Sequence, residues 1–124
     1  EFTRTCRKQT RNPLYMTLYP DAIKQHHYVR FGVDIDAIQP YIDGFVVPLY
    51  DLHYSVTYWL ESLAWGFRDM LQKPLYIELY ACVTEPKRLA KATQVVQHYA
   101  DGVLFAYARK ADDVARVLEL VRPV

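Results

Sequence analysis

Pro13-Leu14-Tyr15-Met16-Thr17-Leu18-Tyr19 returns later in the chain as Pro74-Leu75-Tyr76-Ile77-Glu78-Leu79-Tyr80, identical at five of seven positions. Both runs are dense in aromatic and branched residues, the composition of strands. A second pair repeats in step with the first. Tyr41-Ile42-Asp43-Gly44-Phe45-Val46 reappears as Tyr99-Ala100-Asp101-Gly102-Val103-Leu104, each time where a helix hands over to a strand. Asp-Gly at these places is read as the tight turn that feeds the helix back into the sheet. Four strands are therefore expected, over Leu14–Tyr19, Phe45–Tyr50, Leu75–Ala81 and Val103–Ala108.

Helical spacing fills the intervals. From Ser55 to Leu71 the apolar residues Val56, Trp59, Leu60, Leu63, Phe67, Met70 and Leu71 recur at steps of three and four, with Ser55 as N-cap. A second helix opens at Pro86, where a missing N–H costs nothing, and presents Leu89, Ala92, Val96 and Tyr99. A third runs from Ala111, its first turn carrying Asp112 and Asp113 and its inner face Val114, Val117, Leu118 and Val121. Asp34 to Tyr41 is a short helix, and Glu1 to Arg11 reads as the tail of another.

Strands alternating with helices need a crossover between neighbours, so the class is α/β with parallel strands. Two βα units taken twice suit a (βα)8 barrel, in which odd and even strands fill alternate interior layers. A doubly wound open sheet is the alternative, without any G-x-G-x-x-G or Walker sequence to give it a nucleotide. A chain of 124 residues, 52% of them hydrophobic, forms one domain but cannot close a barrel that takes about 250 residues. The expectation is a single (βα)4 half-barrel over residues 1–124, its strands the fifth to the eighth and the upstream strands missing, completed by an N-terminal half-barrel or by self-association.

Charge and cysteines narrow the classes of function. Fifteen Lys+Arg against 14 Asp+Glu leave a net charge of +1, with no basic stripe to favour nucleic acid or an anionic membrane. The local cluster Arg4, Arg7, Lys8 and Arg11 is read as a solvated helix face. Cys6 and Cys82 form no C-x-x-C pair, which removes zinc-ribbon, thioredoxin-like and disulfide-scaffold readings and fits a reducing, cytoplasmic setting. No run approaches the roughly 18 apolar residues of a membrane helix. No cofactor and no dedicated metal site is implied.

Alternation assigns faces within the third strand. Leu75, Ile77 and Leu79 suit the helix side, which leaves Tyr76, Glu78 and Tyr80 pointing into the barrel. A carboxylate there costs several kcal/mol unless it is partnered or used. Glu78 is thus the candidate catalytic residue. The bland reading is a structural Glu paired with an Arg or held by tyrosine hydroxyls; its repeat-mate is Thr17, so the fold itself requires no acid at this level. Strand exits supply candidate substrate-binding residues: Tyr19 and Asp21 after the first strand, Tyr50, Asp51 and His53 after the second, Tyr80 at the third, and Arg109 in Tyr107-Ala108-Arg109 after the fourth. Asp51 and His53 have the chemistry of acid/base groups or metal ligands, and Arg109 has the planar fork for a carboxylate or phosphate. Capping or loop hydrogen bonding is the competing role for Asp51. Surface or packing histidines are the competing reading for His53, His26 and His27.

Ile42-Asp43-Gly44-Phe45-Val46-Val47-Pro48-Leu49-Tyr50-Asp51, Pro74 to Tyr80, and Tyr99-Ala100-Asp101-Gly102-Val103-Leu104-Phe105-Ala106 together resemble the last strands of TIM-barrel glycoside hydrolases and their archaeal relatives. The resemblance implies a carbohydrate ligand. In the large retaining clan of these enzymes the nucleophile is a Glu at the end of the seventh strand and the acid/base a Glu at the end of the fourth. Glu78 falls on the strand counted as seventh, though in its middle rather than at its tip, and the fourth strand would lie upstream of Glu1. Double displacement needs two carboxylates about 5 Å apart, which Glu78 alone does not provide. Two other functions fit the residues: a metal-dependent barrel lyase, isomerase or hydrolase using Asp51, His53, Glu78 and Asp21, and a non-catalytic half-barrel whose work is assembly.

Overall fold

Residues 1–50, 57–82 and 85–123 are described by the structure, a computed structural model. In chain order it comprises α1 (Phe2–Gln9), β1 (Tyr15–Thr17), α2 (Lys24–Phe31), α3 (Ile35–Ile38) with a 3-10 turn (Gln39–Tyr41), and β2 (Gly44–Pro48). Then follow α4 (Tyr58–Met70), β3 (Leu75–Tyr80), α5 (Pro86–Val96), β4 (Gly102–Ala106) and α6 (Ala111–Leu120). The strands form one sheet in the order β1-β2-β3-β4, and every neighbouring pair is parallel. This is an α/β fold of parallel strands alternating with helices. The order runs without the reversal that makes the switch point of a doubly wound sheet.

One face of the sheet carries the core. Phe45, Val47, Leu49, Leu75, Ile77 and Leu79 are buried and pack in one cluster with Ile35 of α3, Leu60, Ala64 and Phe67 of α4, Leu89 and Val96 of α5, and Val117 of α6. The helices therefore cover a single face. The alternate residues Tyr15, Thr17, Val46, Tyr76, Glu78 and Leu104 point the other way and none of them is buried. Side-chain period two thus places Glu78 opposite the helices, as the alternation in β3 predicts.

The repeated sequence is repeated geometry. Tyr15 pairs with Gly44 and Thr17 with Val46 across β1 and β2, while Tyr76 pairs with Gly102 and Glu78 with Leu104 across β3 and β4. At the amino ends of the strands, Asp43 accepts from Arg7 at 2.6 Å and from the Leu14 amide at 2.7 Å. Asp101 likewise accepts from Arg68 and from the Leu75 amide, both at 2.8 Å. The second nitrogen of each guanidinium caps two carbonyls of the same connection: Thr10 and Asn12 for Arg7, Leu71 and Lys73 for Arg68. These amide bonds and arginines hold both carboxyls below the usual carboxylate range.

Two expectations change here. Arg7 is not part of a solvated face; it ties α1 to the turn before β2. Gly32 alone among the described glycines has positive φ, and the glycines of Asp-Gly, expected in a tight turn, are instead the first residues of β2 and β4. They leave room: a Cβ at Gly44 would stand 2.6 Å from the Tyr15 ring, and one at Gly102 would stand 2.8 Å from the Tyr76 ring.

Among the helices, α2 has no counterpart in the periodicity reading. Its sequence buries only His27 and exposes Tyr28 and Val29, so no apolar stripe marks it. Its end is marked by Gly32 at φ 66, where the Gly32 and Val33 amides close on the Tyr28 and His27 carbonyls. Asp34 caps α3 by accepting from the Ala37 amide at 3.2 Å. Trp59 and Leu118, expected inside, are half exposed, because Leu60 and Val117 take the inward positions beside them. Tyr99 lies past the end of α5, and the N-cap expected at Ser55, with Val56, lies outside the described residues. Among the described residues no helix is long and apolar enough to cross a membrane.

Candidate functional site at the strand exits

Parallel strands deliver their carboxyl ends, and the residues just beyond them, to one rim of the sheet, where open α/β folds bind ligands. Tyr50 follows β2, Tyr80 ends β3 and Tyr107 follows β4. Their rings converge: Tyr50 and Tyr80 lie 5.7 Å apart, Tyr80 and Tyr107 5.6 Å, and Tyr50 and Tyr107 6.1 Å between centroids. Glu78 stands on the same sheet face as Tyr80, two residues before it, and is half-buried. Among the described residues no cation lies within 4.0 Å of its carboxylate, so the Arg-paired structural reading finds no partner among them.

Electrostatics tie the cluster together. Burial, together with the hydrogen-bonding approach and charge of Glu78, pushes the Tyr50 hydroxyl up to about 12. Tyr80 is raised as well, first by its hydrogen-bonding neighbour Cys82, while the positive charge of Arg109 pulls the other way. The Tyr50 phenol thus stays protonated well above its ordinary range, and the charge of Glu78 is one of the causes.

Tyr107 adopts φ 61, which only a few non-glycine residues adopt and which costs a bulky side chain roughly 1–2 kcal/mol. Strain of this kind gathers at sites whose geometry outweighs it. The left-handed turn brings the Tyr107 ring back over Tyr50 and Tyr80, although the residue is 68% exposed. Tyr107 is absent from the residues expected at the β4 exit, where Arg109 is the candidate. Its available signal was a tyrosine at each strand exit.

The other expected residues separate. Tyr19 leans on Phe31 with centroids 4.9 Å apart, away from the trio. Asp21 accepts from His26 at 2.7 Å and from the Ile23 amide at 3.0 Å, with Arg30 at 3.8 Å. Burial alone would raise its carboxyl, but these partners outweigh it and hold the group below the usual range. Asp21 thus organises the entry to α2, and the buried His27 beside it donates from Nε2 to the Asp21 backbone carbonyl at 2.6 Å as a packing histidine. Asp51 and His53 lie outside the described residues. Arg109 is exposed and lines a cleft with Cys82 next to the trio.

Protein families, curated proteins and solved structures return no match to this chain. The resemblance to glycoside hydrolases rests on the strand motifs alone.

Proposed function

We propose that this chain is the C-terminal half of a glycoside hydrolase-like (βα)8 barrel and that a carbohydrate lies across Tyr50, Tyr80 and Tyr107 above Glu78. One observation carries the reading: three tyrosine rings converge at the carboxyl ends of parallel strands over a carboxylate with no cationic partner among the described residues. Aromatic faces stack on the apolar faces of sugar rings while their hydroxyls reach the rim, the two-sided chemistry that sugars present. The bare face opposite the helices is the surface that a barrel interior would occupy, and the sequential strand order fits such curvature.

In this reading Glu78 is the nucleophile or base, Tyr50 donates to it, and Tyr80, Tyr107 and Arg109 position the sugar. The second carboxylate comes from the other half of the barrel, since the mechanism needs a pair. Asp21, which a metal-dependent reading enlists, is engaged by His26 and Arg30 instead. The test is hydrolysis of a panel of aryl glycosides by the assembled protein and by its Glu78→Gln variant. The variant should lose activity by several orders of magnitude, because an amide cannot replace a nucleophilic carboxylate. Undiminished hydrolysis by Glu78→Gln would overturn the assignment.

A further inference from the structure

Beside the tyrosine trio the β3 exit and the β4–α6 connection enclose a cleft of about 280 Å³, with Cys82 and Leu89 on one wall and Arg109, Asp113, Arg116 and Val117 on the other. Its charge is unbalanced. Neither Arg109 nor Arg116 comes within 4.0 Å of a carboxylate among the described residues, and Asp113, though it shares the cleft, pairs with neither. Arg7 and Arg68, by contrast, are fully engaged by Asp43 and Asp101. Two guanidiniums facing one cavity with a single aspartate leave an excess positive charge and ten N–H donors to satisfy.

The cleft adjoins the proposed sugar surface. Cys82 on its wall stands two residues past Tyr80 and Arg109 two residues past Tyr107, and the charge of Arg109 reaches the Tyr80 hydroxyl. A ligand stacked on Tyr80 and Tyr107 would project a substituent toward Arg109 and Arg116. We propose that this cleft binds an oxyanion group of the ligand, a carboxylate or a phosphate, so that the carbohydrate taken by the tyrosines is an acidic or phosphorylated one. This rests on the carbohydrate reading for the ligand's body, while the anion site itself stands on the arginines. Planar guanidiniums match both oxyanions by bidentate contact, and a neutral sugar offers them nothing comparable.

The test is calorimetric titration of the purified chain with glucose 6-phosphate, glucuronate, glucose and inorganic phosphate, repeated on Arg109→Gln, Arg116→Gln and the double variant, each checked for a native circular dichroism spectrum. The expected result is about tenfold or greater preference for glucose 6-phosphate or glucuronate over glucose, weakened by added salt and abolished in the double variant. The better of the two anionic sugars identifies the source of the oxyanion. Inorganic phosphate bound in an arginine-dependent way, with no sugar bound, would uphold the anion site and defeat the carbohydrate reading. Equal binding of glucose and the anionic sugars, a preference that survives in the double variant, or no binding of any anion would overturn the inference.

Discussion

Tyr50 and Tyr107 show how single residues shape the rim at the strand exits. The Tyr50 hydroxyl is raised to about 12 by burial and by Glu78. A phenol whose folded value lies above its unfolded value near 10 keeps its stabilising contribution below pH 10 and loses it as the pH rises toward 12. Ultraviolet titration should therefore show a late-ionising tyrosine that moves back toward the ordinary range in Glu78→Gln; an unchanged profile would mean that Glu78 does not act on Tyr50. At Tyr107 the left-handed backbone makes a different demand. Asn tolerates this conformation and Val does not, so Tyr107→Asn should be more stable than Tyr107→Val by about 1 kcal/mol or more in urea unfolding. Equal stabilities would contradict the φ of 61.

At the scale of elements, the Arg–Asp clamp explains why the same two-strand unit folds twice. Arg68→Met should cost about 1 kcal/mol, since its ion pair with Asp101 is partly exposed but two carbonyl caps go with it. The lowered carboxyls of Asp43 and Asp101 contribute stability above their unfolded value near 3.8 and lose it as the pH falls through their folded values. Acid unfolding of Arg68→Met should accordingly begin from a lower stability and show a shallower loss than the parent; an identical acid limb would remove the clamp from the account.

Much of this level was legible in the sequence, because period two in Leu75–Tyr80 and period 3.6 in α4 are direct consequences of burying one face. The helix α2 was not, since its stabilising contacts are a buried histidine and a glycine end rather than an apolar stripe. The clamp was equally hidden: Arg7 and Asp43 are distant in sequence, and nothing in the spacing of Arg4, Arg7, Lys8 and Arg11 distinguishes the one arginine that folds back. Glu78 and two of the three tyrosines were legible from alternation and strand ends. Tyr107 was not, because positive φ at a tyrosine has no sequence signature.

For the whole molecule, one sheet face is covered by helices and the other bears Tyr15, Tyr76, Glu78 and Leu104 in partial exposure, with parallel strands β1 and β4 at the two edges. Unpaired edges and an aromatic face are a poor surface to leave in water. Light scattering should find the chain in a dimer, a larger assembly or a complex with a second polypeptide, and a stable soluble monomer of 14.6 kDa would speak against the half-barrel. The most direct test of the central claim, that Glu78 is kept for chemistry rather than for stability, is thermal unfolding of Glu78→Gln beside the parent at neutral pH. The account predicts a Tm equal to or above the parent's, because the amide keeps the shape of the carboxyl group and its loss of charge strips no described cation of a partner. A drop of about 10 °C or more, matching the roughly 3 kcal/mol lost when a buried ion pair is broken, would contradict it.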